Sequence, residues 1–265
     1  MTVLRSSGVS VSFGGVHALQ DVGLEVGEGQ LVGLIGPNGA GKTTFIDAIS
    51  GFVRCRGQVE LDQRDLTALP PHARARRGLA RTWQSIELFE DLTVRENLAV
   101  AAHRPSPWHT FRELFSRRDV ETPAMGSALD LLGLEPYVDV MATELSQGQR
   151  KLVGVARALA AEPRLLCLDE PAAGLGSEES GQLGRHLRAV VDAGTSMLLV
   201  DHDMGLVLSV CDRVVVLEFG QVIAAGPPEE VRRDSRVIAA YLGSAASRVQ
   251  PNGGTDGGAD GGEVR

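Results

Sequence analysis

One short run constrains this chain more than any other: Gly36-Pro37-Asn38-Gly39-Ala40-Gly41-Lys42-Thr43-Thr44. It follows Leu31-Val32-Gly33-Leu34-Ile35, an apolar stretch with the length and composition of a buried parallel strand. It precedes Phe45-Ile46-Asp47-Ala48-Ile49, which continues as a helix. The pattern G-x-x-x-x-G-K-[ST] is met at Gly36, Gly41, Lys42 and Thr43. Gly36, Gly39 and Gly41 let backbone N–H groups turn inward around a phosphate chain, where a Cβ would obstruct the approach. The helix N-terminus adds partial positive charge at the same point. Lys42 reaches the outer phosphates, and the Thr43 hydroxyl is a ligand for Mg²⁺. A strand, a glycine loop and a helix in this order make a nucleotide-binding loop in an α/β fold.

Composition narrows the setting. A length of 265 residues suits one large α/β domain, alone or with a smaller subdomain, and 43% hydrophobic residues supply a sizeable core. A net charge of −8 argues against nucleic acid as the main partner. Cys55, Cys167 and Cys211 show neither C-x-x-C nor metal-ligand spacing, which fits idle thiols in a reducing compartment. The first residues show no signal peptide, and no run of about 18 apolar residues is present to span a membrane. If the protein works at a membrane, another chain supplies the crossing.

Along the chain, Val9, Val11 and Phe13 alternate with Ser10 and Ser12 as in a half-buried strand, and Gly14-Gly15 turns into one or two further strands over 16–26. This predicts an antiparallel layer before the phosphate loop. Phe13 suits a core position in an isolated strand. Beside a glycine turn it also suits stacking on a purine ring. Gly57 to Asp62 reads as another strand. Arg74, Arg76, Arg77 and Arg81 lack interleaved aromatics, so they read as a solvated or partner-facing basic helix. Thr93 and Glu96 form a capping box. The stretch 86–160 is helical, with a loop at 103–109 whose His103, Trp108 and His109 read as surface or packing residues rather than metal ligands. Ser146 and Gln149 cap a helix with Leu152, Val153, Ala156, Leu159 and Ala160 on its apolar face.

Leu165-Leu166-Cys167-Leu168-Asp169-Glu170 is a buried strand ending in two carboxylates. Beside a phosphate loop, Asp169 is placed to serve Mg²⁺ and Glu170 to polarise an attacking water. Met197 to Val200 is a second such strand, leading to His202. A lone histidine at a strand end suits a structural role, but at the carboxyl edge of a nucleotide-binding sheet it is placed to touch a γ-phosphate. Val214 to Leu217 and Gln221 to Ala225 predict a hairpin around Phe219-Gly220, followed by two short helices over 231–242. Residues 244–265 are rich in Gly, Ser, Ala and Asp and read as a disordered tail after a domain spanning 1–243.

Gly36 to Thr44, Gln84, Leu145 to Gln149, Leu165 to Glu170 and His202, in this order and at these separations, resemble the ATPase subunit of an ABC transporter. The likeness covers residues 5–243. Phe13 to Val16, Gly78 to Gln84, Leu92 to Asn97, His202-Asp203-Met204 and Ala240 to Gly243 are most similar to the LivG-like group serving branched-chain amino-acid importers. Three positions depart: Gln147 stands where the signature often has Gly or Tyr, Gly176 where Asn or Asp is usual, and Asp201 where Glu is usual.

The resemblance implies a P-loop NTPase core with an antiparallel β layer and an inserted helical subdomain. It implies ATP and Mg²⁺ as ligands, and two cassettes, identical or paralogous, facing head to tail with ATP between them. Phe13 and Val16 would flank adenine, and residues 36–44 would hold the phosphates. Thr43, Gln84 and Asp169 would serve the cation. Glu170, His202, Lys42 and Gln84 would carry catalysis. Ser146, Gly148 and Gln149 would close over the partner's ATP. The setting implied is the cytoplasmic face of the membrane, with permease subunits and, indirectly, a solute-binding protein. Relatives also serve urea, short amides or lipopolysaccharide export. A soluble kinase or GTPase would not need Leu145 to Gln149, and the GTPase's Asn/Thr-Lys-x-Asp run is absent.

Overall fold

The computed structural model describes residues 1–83, 88–102 and 122–247. Two long strands open the chain, β1 (Thr2–Phe13) and β2 (Val16–Gly27), joined at Gly14-Gly15. The first starts well before Val9, and residues 16–26 form one strand rather than two. Then come β3 (Leu31–Ile35), α1 (Lys42–Ser50), β4 (Arg56–Leu61), β5 (Arg64–Asp65), α2 (Pro71–Arg76) and β6 (Leu79–Arg81). Three helices follow, α3 (Val94–Ala102), α4 (Pro123–Leu131) and α5 (Gln147–Leu159). The rest alternates: β7 (Leu165–Asp169), α6 (Ser177–Asp192), β8 (Ser196–Val200), α7 (Met204–Val210), β9 (Arg213–Glu218), β10 (Gln221–Gly226), α8 (Pro228–Val231) and α9 (Ser235–Ser247).

Two sheets result. One is antiparallel, in the order β2-β1-β4-β5, and the other runs β10-β9-β3-β8-β7-β6 with only its β9–β10 edge antiparallel. β3 lies between β8 and β9 and is parallel to both. β3, β7 and β8 are buried along their whole length, which is why they read as unbroken apolar runs. Alternate residues divide between two cores. Val32, Leu34, Cys167, Leu198, Val200 and Leu217 join Phe45, Ile46 and Ile49 of α1 and the inner face of the antiparallel sheet. Leu31, Ile35, Leu166, Leu168, Met197 and Leu199 join Leu98, Met125, Leu129, Val153 and Ala156 of the helical stretch. Thus α1 is enclosed between the sheets, with Phe45, Ile46 and Ile49 fully buried.

The arginine cluster is not a single solvated helix face. Arg74 is buried; Nη1 donates to the carbonyls of Ala48 and Ile49 at 2.9 and 2.7 Å, Nε to Leu69 and Nη2 to Thr67. The last carbonyls of a helix have no partner within it, and Arg74 supplies one for α1. The Arg81 side chain is only 6% exposed, whereas Arg76 and Arg77 are exposed. At the other end of the chain, the helices run 228–231 and 235–247. The second continues through residues 244–247, where Ala and Ser sustain a helix despite their low hydrophobicity; residues 248–265 lie outside the described residues, as does the loop at 103–109.

Candidate nucleotide-binding and hydrolysis site

The phosphate loop leaves β3 at Ile35 and enters α1 at Lys42. Gly39 and Gly41 have φ of 81° and 105°, a region glycine enters without penalty. Packing is as demanding as conformation at two positions. A Cβ on Gly36 would overlap the carbonyl oxygen of Leu217, and one on Gly41 would lie 2.8 Å from the carbonyl oxygen of Ala18. The hairpin turn between β9 and β10 closes this side: the Gly220 amide donates to Ala40 at 2.9 Å, and its carbonyl accepts from Gln20 at 2.8 Å. No side chain caps α1 and its first turn holds no acid, so its leading amides face the loop's concavity.

Lys42 is 6% exposed, and its Nζ donates to the carbonyls of Gly36 at 2.7 Å and Pro37 at 3.2 Å. Burial holds its ammonium below the ordinary lysine value, opposed by the charges of Glu170, Asp201 and Asp169. Ala40 is buried, Pro37 and Thr44 are half-buried, and Asn38, Gly39 and Thr43 are exposed. Phe13 and Val16 sit opposite each other at the end of the first hairpin, 52% and 70% exposed. Phe13 is therefore not a core residue.

Asp169 ends β7 and pairs in register with Val200 of β8, which brings Glu170 and His202 to one sheet edge. Glu170 has φ 47°, and its amide donates to the Val200 carbonyl at 2.7 Å. A glutamate in the left-handed region is strained, and such residues gather at active sites. Nδ1 of His202 lies 3.7 Å from Glu170 Oε2 and from Asp201 Oδ1. Asp201 is fully buried, and its carboxylate accepts from the amides of His202, Asp203 and Ala172 at 2.7, 2.9 and 3.2 Å. Its shorter side chain, where Glu is usual, is thus committed to fixing the backbone on both sides of the pair. Lys151 reaches the same place, Nζ donating to the Pro171 carbonyl at 2.7 Å.

Ser146 and Gln149 form the expected capping box, amide to Oε1 at 2.8 Å and amide to Oγ at 3.2 Å. They and Gly148 make no hydrogen bond to residues 36–44 within the described chain. Gln84 lies outside the described residues. Sequence reading missed Arg81, whose guanidinium donates to Asp169 Oδ2 at 2.7 Å, and Asn97, which is fully buried in α3. An arginine closing an apolar strand was the available signal for the first, since a guanidinium carried inward needs carboxylates. A groove of about 540 Å³ opens beside Glu170, lined among others by Phe52, Pro71, Arg81, Trp83 and Arg157.

The donor set suits Mg²⁺. The Thr43 hydroxyl and the Asp169 carboxylate are hard oxygen ligands, and a cation shared with nucleotide phosphates needs few protein groups. No cage of three or more His, Cys, Asp or Glu exists among the described residues.

Residues 19–173 match the ABC transporter family model, and residues 221–247 match the model described as branched-chain amino acid ATP-binding cassette transporter. BraF of Pseudomonas aeruginosa, a high-affinity branched-chain amino acid transport ATP-binding protein, is 39% identical over 251 residues, 92% of this chain and 98% of that one. LivG of Escherichia coli, of the same description, is 38% identical with the same coverage. A solved ATP-binding cassette of an ABC transporter in its ADP conformation is 30% identical with a TM-score of 0.79, over 92% of this chain and 99% of that one. The chain belongs to the ABC transporter family, as an ATP-binding cassette with ATPase activity. Within that family it falls in the LivG-like group.

Proposed function

We propose that this chain is the ATP-hydrolysing subunit of an importer of branched-chain or related amino acids. It works at the cytoplasmic face of the membrane, bound to transmembrane permease subunits that receive solute from a binding protein. No helix among the described residues is long and apolar enough to cross a membrane, so the crossing falls to those partners. The cassette pairs with a second one, its own copy or a paralogue; ATP binding closes the pair and hydrolysis reopens it. Residues 1–243 form the ATP-binding domain, with 86–160 as its helical subdomain.

Within the site, Phe13 and Val16 flank the adenine. The amides of Gly36 to Thr44 and the Lys42 ammonium hold the phosphates. Thr43, Asp169 and Gln84 would hold Mg²⁺, which would neutralise phosphate charge. Glu170 accepts a hydrogen bond from the attacking water, and His202, held by Asp201, contacts the outer phosphate. Ser146, Gly148 and Gln149 present a capped helix N-terminus to the partner's ATP, which accounts for their making no hydrogen bond to this chain's own loop. Gln84 and the segment 85–98 link the site to the permease.

The observation that carries the hydrolytic reading is the convergence of Glu170 and His202, 3.7 Å apart, on the sheet edge that bears the phosphate loop. In Glu170→Gln, ATP binding is retained, a nucleotide-trapped dimer accumulates, and turnover falls by about 100-fold or more. Steady-state ATPase rate and size-exclusion chromatography with ATP read both effects. Unimpaired turnover would sink the role given to Glu170. The transport reading is tested by purifying tagged protein from detergent-solubilised membranes, where two permease chains and a second cassette are expected.

A further inference from the structure

Arg81 joins three parts of the molecule through one side chain. Its side chain is 6% exposed; Nη1 pairs with Asp47 of α1, and Nη2 pairs with Asp169 of β7 at 2.7 Å. Its Nε has no hydrogen-bond partner among the described residues. The flat guanidinium lies over Trp83, 4.4 Å from the ring centroid, and 5.9 Å from that of Phe52. The two rings meet edge to face at 4.9 Å and both line the groove beside Glu170. Two carboxylates offset the cost of burying the cation, and the aromatic faces accept its weakly hydrated plane. With Oδ2 of Asp169 held by Nη2, that carboxylate has one orientation and its other oxygen is left to a ligand.

We propose that Arg81 is a positioning residue that fixes the Asp169 carboxylate for a divalent cation, with Trp83 registering its place from the groove side. The proposal rests on the reading of Asp169 as the cation's carboxylate. Removing a group that orients a metal ligand typically costs about 10- to 100-fold in metal affinity. A lysine cannot replace this arginine, because a point charge does not span two carboxylates as a fork does. The opposing idea is that the guanidinium merely competes with the cation for Asp169. The two differ in sign: losing a competitor tightens Mg²⁺ binding, and losing a positioning group weakens it.

The experiment is a Mg²⁺ titration of binding of a fluorescent, non-hydrolysable ATP analogue, with nucleotide affinity also measured in EDTA. Arg81→Lys and Arg81→Gln should both raise the Mg²⁺ midpoint by about 10-fold or more, leaving affinity in EDTA unchanged. A wild-type midpoint in Arg81→Lys, or a lower one in Arg81→Gln, overturns the proposal. Should either fail to fold, Asp47→Asn remains, since that side chain is 25% exposed; it should raise the midpoint by less, and an unchanged midpoint counts against positioning. An Asp169→Asn control that keeps the wild-type midpoint locates the failure in the reading of Asp169, and the proposal falls with it. Trp108→Phe leaves Trp83 as the one indole of the chain's two. Its emission should shift with the Mg²⁺ midpoint in wild-type residue 81, and constant emission overturns the role given to Trp83.

Discussion

The phosphate loop and the stretches 81–83 and 88–97 are held by different means. The loop is seated by backbone against backbone. Gly36 packs on the Leu217 carbonyl, Gly41 on Ala18, and the Gly220 amide bonds to Ala40. The two stretches are tied by buried polar side chains. Arg81 bridges Asp47 and Asp169, and Asn97 accepts from the Phe89 amide at 2.9 Å while donating to the carbonyls of Phe89, Leu92 and Thr93. Backbone seating leaves no slack and suits a cradle that must be ready for its ligand. Side-chain ties can be redrawn by moving one group, which suits a segment proposed to pass a change onward.

The sharpest way to break this comparison is Gly36→Ala. Its Cβ has no room, so destabilisation above about 3 kcal/mol is expected in denaturant unfolding, with loss of nucleotide binding. Gly39→Ala sharpens the point: nothing lies within 4 Å of that position, so only the left-handed φ opposes it, at about 1 kcal/mol. Equal effects from the two would refute tight seating as the cause. On the other side, Asn97→Ala leaves the Phe89 amide without its acceptor and should cost about 1–3 kcal/mol in the same measurement, without touching the loop. An Asn97→Ala variant as stable as wild type would show that those bonds do not hold the segment.

The smallest effect lies at the start of α3. Glu96 Oε2 accepts from the Thr93 amide at 2.8 Å and its hydroxyl at 2.9 Å, and these bonds hold the carboxyl below the ordinary glutamate value. A lowered carboxyl contributes stability that is present above the unfolded value of about 4.3 and is lost as pH falls through the lower folded value. The stability gap between wild type and Glu96→Ala should therefore be present at neutral pH and close in acid. A gap of the same size at both ends would show that the carboxylate's charge is not what caps this helix.

The comparison also explains what the sequence disclosed. The loop, its strand and its helix are contiguous, so spacing alone revealed them, as it did the strand ends at Asp169 and Val200 and the capping boxes at Thr93 and Ser146. Arg74, Arg81 and Asn97 escaped because a side chain's partners are not written beside it. Arg74 serves carbonyls 25 and 26 residues away, and Arg81 serves a carboxylate 88 residues away. Read locally, Arg74 and Arg81 belong to a basic cluster, and Asn97 is an ordinary polar residue in a short helix. The exposure of Phe13 was legible through the resemblance and not through the strand pattern, since alternation fixes which face a residue takes but not whether that face is covered.

The hairpin turn at Gly220 sets the order in which the site is completed during synthesis. Gly36 to Thr44 leave the ribosome early, but β3 cannot pair until β8 and β9 have emerged, and the loop has no seat until Leu217 and Gly220 arrive. Its closing contacts span some of the longest separations in the chain, a topology that forms late and slowly. The nucleotide cradle is thus finished only when most of the polypeptide exists, and a nascent or truncated chain lacking residues beyond β8 carries the complete binding motif with nothing to shape it.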